Sequence, residues 1–258
     1  MRKILNILLL VLTLTTFVAL SSYLVYSHFH ERLDDVTLSI SRNNDDGFVD
    51  YDDTYELIMN ICDTANNTQL NMIPLDSVVE VLEANPWVVD VEAEINLSAV
   101  LDVKIKECEP VMRVYNKKGK SVYIDNDGNV FPTNNDYVRH LLIANGNIDF
   151  PNDVYENVNG ETLSDTDLPE IFSLMKEVMA DDYSRCCVKQ IYKDKKKNYI
   201  FSLNNTNIIV IFGDVNNVKD KLTKMKHFFT KMQGNPELDN YKEINLNFKN
   251  QVVCTKNK

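Results

Sequence analysis

The hydrophobic positions of the chain change period several times, and each change predicts an element. Residues 4–26 are uncharged and apolar, interrupted only by Asn6 and hydroxyl side chains. At about 1.5 Å per residue such a helix is about 34 Å long, enough to span a bilayer. A polar neck follows over 27–35, and residues 36–40 then alternate as a strand does. Residues 50–60 read as a helix with Tyr51, Tyr55, Leu57, Ile58 and Ile61 at its apolar positions, and Asp52, Asp53 and Glu56 suit the dipole near its start. Past an Asn-rich loop over 66–71, the residues Ile73, Leu75, Val78, Val79 and Leu82 lie close to helical spacing, with Pro74 in the first turn and Asn85-Pro86 forcing a stop. From Trp87 the period becomes two. Val89, Val91, Ala93 and Ile95 alternate with Asp90, Glu92 and Glu94, and after a turn at 96–98, Leu101, Val103 and Ile105 alternate with Asp102, Lys104 and Lys106. That pattern predicts an antiparallel hairpin covered on one face by the helices, so residues 36–110 form a compact α+β module in the order β-α-α-β-β.

Beyond Pro110 the pattern is mostly strands. Segments 111–115, 121–124, 130–131 and 139–144 are separated by the turn dipeptides Lys118-Gly119, Asp127-Gly128 and Asn145-Gly146. A helix capped by Ser164 is expected over 165–180, with Leu168, Ile171, Phe172, Met175 and Met179 inward. Strands are expected at 185–192, 199–203 and 208–212, with turns at 193–198 and 204–206. A second helix follows over 215–232, with Val218, Leu222, Met225, Phe229 and Met232 on one side and Gly234 as its stop. Two strands, 241–246 and 248–254, close the chain. Residues 111–254 thus read as a larger β domain, a curved and mainly antiparallel sheet with helices packed on it, and 255–258 as a tail.

Charge adds a direction. The 258 residues carry a net charge of -11, yet residues 1–30 hold Arg2 and Lys3 and no acid. Basic residues before an apolar run keep the amino terminus inside, which leaves residues 1–3 as a short cytoplasmic tail and everything after the span extracytoplasmic. A signal peptide with cleavage near Ala19-Leu20-Ser21 competes with this reading, but the apolar run continues past that point to Tyr23 and Tyr26, placed as interfacial anchors, so an uncleaved anchor is expected. A strongly acidic body excludes nucleic acid as the expected partner and is compatible with protein partners.

Candidate chemistry does not change the picture. Cys62, Cys108, Cys186, Cys187 and Cys254 form no CxxC and no zinc spacing; the adjacent pair, expected on a strand, is read as small buried hydrophobes, and no disulfide is assigned. Aligning Gly128 with the fixed glycine of an EF-hand loop puts Tyr123 and Asn134 where Asp and Glu are required, and the same test at Asp46-Gly47 puts Arg42 first, so neither binds calcium. His28, His30, His140 and His227 fall on different elements, and the seven glycines fall at turns or helix ends, leaving none for a phosphate cradle. No enzymatic activity, metal, cofactor or small-molecule substrate is expected.

Several short motifs, in order along the chain, resemble the FtsQ/DivIB family of bacterial division proteins. Pro86-Trp87-Val88 before the hairpin, and Glu107 with Pro110 as the E-x-x-P step out of its last strand, are similar to the family's POTRA (polypeptide-transport-associated) domain. Tyr123-Ile124-Asp125 with Gly128 and Phe131 resembles its "(Y/V)-(I/V)-D-x-x-G-x-x-F" turn, and the terminal strands resemble the end of its β domain. The chain departs from the family in lacking a Leu-Pro pair near Leu141-Leu142 and an aromatic-proline pair at 96–98. The resemblance implies a non-enzymatic, single-pass scaffold of the cell (inner) membrane at the division septum. Its terminal edge strand receives FtsB and FtsL, and through them it acts on septal wall synthesis by FtsW and FtsI. On this reading Phe248, Lys249, Gln251, Val252, Val253 and Cys254 contact the partner, with Lys249 meeting an acidic group, and Pro86, Trp87, Glu107 and Pro110 are structural. The alternative is a POTRA-bearing protein-transport or outer-membrane assembly factor, although no series of barrel strands follows.

Overall fold

The computed structural model describes residues 2–42, 47–62, 68–134, 141–204 and 206–257. Met1, Asp46, Asn66, Asn67, Arg139, His140, Asn205 and Lys258, to which expectations above extend, lie outside the described residues. The chain divides into two compact units, Met1–Cys108 and Glu109–Lys258.

The first unit opens with α1 (Arg2–Phe29), within which Asn6–His28 is long and apolar enough to cross a membrane and is not buried by the protein. Strand β1 (Asp35–Ser41), helices α2 (Tyr51–Ile61) and α3 (Leu75–Glu83), and strands β2 (Val88–Ile95) and β3 (Val100–Glu107) follow. The sheet order is β1-β3-β2, with β1 parallel and β2 antiparallel to the central β3. Both helices cover one face: Ile58, Val78 and Leu82 pack with Val36, Leu38, Leu101, Val103 and Ile105. Asp50 caps α2 by accepting the Asp53 N–H. Pro74 stands at the cap of α3, just before the first turn. The alternation expected of β2 starts late because its register shifts between Val88 and Asp90, which leaves Val89 exposed and packs Val88 against the core.

Among the described residues the strands of the second unit form one nine-stranded sheet. Its strands are β4 (Pro110–Tyr115), β5 (Ser121–Asp125), β6 (Val130–Pro132), β7 (Leu142–Gly146), β8 (Val188–Lys193), β9 (Tyr199–Leu203), β10 (Ile209–Gly213), β11 (Tyr241–Asn245) and β12 (Val253–Lys256). They lie in the order β12-β11-β10-β9-β8-β7-β4-β5-β6. Helices α4 (Leu168–Ala180) and α5 (Asp182–Cys187) connect β7 to β8, and α6 (Val218–Met232) connects β10 to β11. Both of those strand pairs are parallel, as is β4 with β7; the other five pairings are antiparallel, so the sheet is mixed and mainly antiparallel. A parallel neighbour requires a crossover, which the helices supply between β7 and β8 and between β10 and β11. Ile171, Phe172 and Met175 of α4 and Leu222, Met225 and Phe229 of α6 meet Ile191, Phe201, Val210 and Ile244 of the sheet in one core.

Several boundaries differ from the expected ones. Helix α4 begins at Leu168 rather than 165, because Thr166 closes a turn on the Leu163 carbonyl and Pro169 belongs in the first helical turn. Ser164 donates its N–H to Gly160 and caps nothing. Residues 182–187, the last three of them expected as strand, are helical because the Asp181 carboxylate accepts both the N–H and the hydroxyl of Ser184. Cys186 is therefore exposed and Cys187 half-buried rather than a buried pair. Helix α6 starts at Val218 after a left-handed Asn217, later than 215.

The turn at 125–129 is built as expected of a hairpin. Asp125 Oδ1 accepts the N–H groups of Asp127 and Asn129 at 2.9 and 2.8 Å, so its carboxylate closes the turn. Gly128 has a φ of +88°, and a Cβ there would lie 3.0–3.1 Å from Val158 and Phe172. Gly128→Ala is expected to lower unfolding stability by about 1–3 kcal/mol, from backbone strain and the displaced Phe172 ring together, as read by urea denaturation of the detergent-solubilised chain.

Candidate functional site

The last strand, β12, has β11 on one side and no strand on the other among the described residues. It is shorter than expected. Only Val253 and Cys254 of the six partner residues named above stand on it; Phe248, Lys249, Gln251 and Val252 belong to the connection from β11. Two asparagines bend the chain there. Asn245 Oδ1 accepts the Asn247 N–H at 3.0 Å, and Asn250 adopts φ 56°, a left-handed value that asparagine tolerates and a strand does not. Asn247 also lies over Gly213, where any Cβ would collide with its side chain.

Helix α6 holds this connection down. Lys224 Nζ donates to the carbonyls of Leu246 and Phe248 at 2.6 and 3.0 Å. Lys221, buried, donates to the Asp214 carbonyl and to its Oδ1 at 2.8 and 2.6 Å, and its hydrogen bond, with that of Asn216, holds the Asp214 carboxyl below the usual aspartate range. Between α6 and residues 246–252 lies a groove of about 880 Å³, lined on the helix side by Lys224, His227, Phe228 and Lys231 and on the other by Phe248, Lys249 and Val252. Helix α6 carries five lysines against one aspartate in a chain of net charge -11. Lys231 and Lys249 form no ion pair among the described residues, so the groove is a basic, partly apolar trough beside an open sheet edge.

The side chains divide cleanly. Phe248 and Val253 are exposed, at 44% and 41%, whereas Val252 and Cys254 pack against the core of the sheet. Burial pushes the Cys254 thiol up, away from the reactive thiolate. Among the described residues no cluster of His, Cys, Asp and Glu is arranged to hold a metal. Such a surface offers backbone hydrogen-bonding groups, two exposed hydrophobic side chains and positive charge, which is the equipment for binding an extended acidic segment.

The four residues read as structural stand in different settings. The buried Glu107 carboxylate at the end of β3 accepts the Phe48 N–H and lies 3.7 Å from Arg42 Nη1, tying the loop into α2 to the sheet. Trp87 stacks on Phe48 of that loop, with centroids 5.8 Å apart and the rings 12° from parallel. Pro86 is exposed, and Pro110 is the buried first residue of β4. Lys224, His227, Phe228 and Lys231 escaped the sequence reading. The lysine density of residues 219–231 in an acidic chain marks the helix as basic but does not place it beside a groove.

A family model described as "FtsQ/DivIB, C-terminal related" matches residues 109–255, more than half of the chain. Comparison with the curated proteins gives no match.

Proposed function

The chain belongs to the FtsQ/DivIB-related family, whose members are membrane proteins of the bacterial division site, and from that premise we propose that it is a non-enzymatic, single-pass scaffold of the divisome. Its amino terminus is cytoplasmic, α1 spans the membrane, and residues 27–258 are extracytoplasmic, with a POTRA domain over 36–110. At the open edge of β12 it takes up an extended segment of FtsB, with FtsL, and through that complex it controls septal wall synthesis by FtsW and FtsI. The observation that carries this reading is a terminal strand with one open edge among the described residues and a lysine-lined groove next to it. Strand addition supplies main-chain hydrogen bonds, and Phe248 and Val253 supply side-chain contacts beside the edge. The groove lysines favour an acidic segment and raise its rate of encounter at low salt. Cells depleted of the protein are expected to grow as filaments that segregate nucleoids without septa, as read by microscopy after promoter shut-off. Normal cell length during depletion removes the division role.

A further inference from the structure

The first unit presents two large apolar side chains to solvent beside the point where α1 ends: Leu97 is 90% exposed and Met72 68%. A single exposed leucine on a protein surface is ordinary. These two differ in where the backbone holds them. Residues 31–34, which directly follow α1, are bonded to both of their segments. Leu70 donates its N–H to the Glu31 carbonyl at 2.9 Å, Leu33 donates to Thr68 at 3.2 Å, and Asp34 donates to Ala99 at 2.9 Å. Strand β1 runs parallel to β3 from the pair Asp35 and Val100, so the β2–β3 hairpin tip lies at the α1 end of the sheet.

The tip is stiff. Asn96 Oδ1 accepts the N–H groups of Ser98 and Val100 at 2.9 and 3.2 Å, and Asn96 Nδ2 donates to Asp102 at 3.0 Å. Ala99 takes a left-handed φ of 59° and tucks its methyl into the core, which turns Leu97 outward. Met72 closes the short 3-10 turn Leu70–Met72, whose Leu70 is buried and fixes it in the same core. The apolar window of α1 ends at His28, three residues before Glu31, a separation of about 10 Å at full extension. The headgroup layer of a leaflet is roughly 5–8 Å thick, so the turn at Met72 is within reach of it.

We propose that Leu97 and Met72 rest in the lipid interface next to α1 and set the orientation of the first unit on the membrane surface. The proposal depends on the reading that α1 spans the membrane. Glu31, Asp34 and Asp35 surround the neck, so the attraction is apolar and not electrostatic, and a zwitterionic lipid suffices.

The test uses the full chain in phosphatidylcholine vesicles that carry a nitroxide either near the glycerol or deep in the acyl chain. Trp87 precedes β2 at the opposite end of the sheet, roughly 25 Å from the tip at about 3.3 Å per residue, and serves as the internal reference. Leu97→Trp and Met72→Trp are each expected to add fluorescence that the glycerol-level nitroxide largely removes, while the emission of Trp87 in the parent chain is unchanged. Phe17→Trp, at the middle of the apolar window, reports the span through the deep nitroxide. Quenching at position 17 with none at positions 72 and 97 overturns the interface contact and leaves the anchor standing. No quenching at position 17 overturns the anchor, and the proposal with it.

Discussion

A chain carrying Phe248→Ala and Val253→Glu together is expected to lose its affinity for the FtsB segment while remaining folded. Phe248 and Val253 are exposed, so neither substitution opens the core. Truncating an aromatic at the centre of an interface and placing a carboxylate beside the added strand together remove about 2–4 kcal/mol of binding, a loss of about 30- to 1000-fold. Titration calorimetry with the soluble FtsB segment measures the loss, and circular dichroism checks the fold. An affinity within a factor of about two of the parent, well under 1 kcal/mol, rejects the site. Val252 is a poorer probe than its position in the sequence suggests. It packs against the core beneath the groove, so a charge there perturbs folding and binding at once.

The choice of Val253 over Val252 marks where the sequence stopped being informative. Val100–Glu107 alternates without a break, and its buried face was legible because a half-buried strand has no other periodic solution. Phe248 to Cys254 shows similar spacing, with Phe248, Val252 and Cys254 apolar, yet its first five residues are a connection. The left-handed Asn250 and the Lys224 bonds to Leu246 and Phe248 decide this, and the second of these comes from a helix more than twenty residues away. A strand pattern is a local property, whereas a groove is made by neighbours in space. For the same reason Phe228 and Lys231 were invisible as site residues until α6 was seen to lie against residues 246–252. The helical turn at 182–187 is a different failure. Asp181 three residues before Ser184 is a readable cap, but the apolar spacing around Cys187 and Val188 matched a strand and outweighed it. The polar neck at 27–35 likewise hid the fact that its last residues are bonded to Thr68, Leu70 and Ala99, which makes it part of the first unit's structure.

Lys193→Met is expected to destabilise the second unit by a large increment while leaving the groove intact. Lys193 is 2% exposed at the end of β8, and its Nζ donates to Asp167 Oδ1 and Glu170 Oε1, both at 2.9 Å. The Tyr199 hydroxyl donates to the same Glu170 oxygen, and burial, then Glu170, pushes the Tyr199 pKa upward. Asp167 Oδ2 also accepts the Asp149 N–H, so this lysine joins the start of α4 to two strands and a loop. Removing one member of a fully enclosed ion pair costs about 3–5 kcal/mol; with Glu170 43% exposed, water compensates part of the loss, and roughly 2–3 kcal/mol is expected here. The pH dependence identifies the cause. Burial alone raises the Glu170 pKa, but the Tyr199 and Lys193 hydrogen bonds outweigh it and hold the carboxyl below its ordinary value. Its stabilisation is therefore complete above the unfolded value of about 4.3 and is lost as pH falls through the lower folded value. For Lys193 burial acts downward, and the Asp167 and Glu170 hydrogen bonds more than reverse it, so its pKa is raised; its contribution is complete below about 10.4 and is lost as pH climbs through the folded value. Urea denaturation of parent and variant should show the largest difference between about pH 5 and 10, narrowing on the acid side as Glu170 takes up its proton. A difference of the same size at pH 3 as at pH 7 assigns the loss to packing of the lysine stem against the Tyr199 ring, not to the charge network.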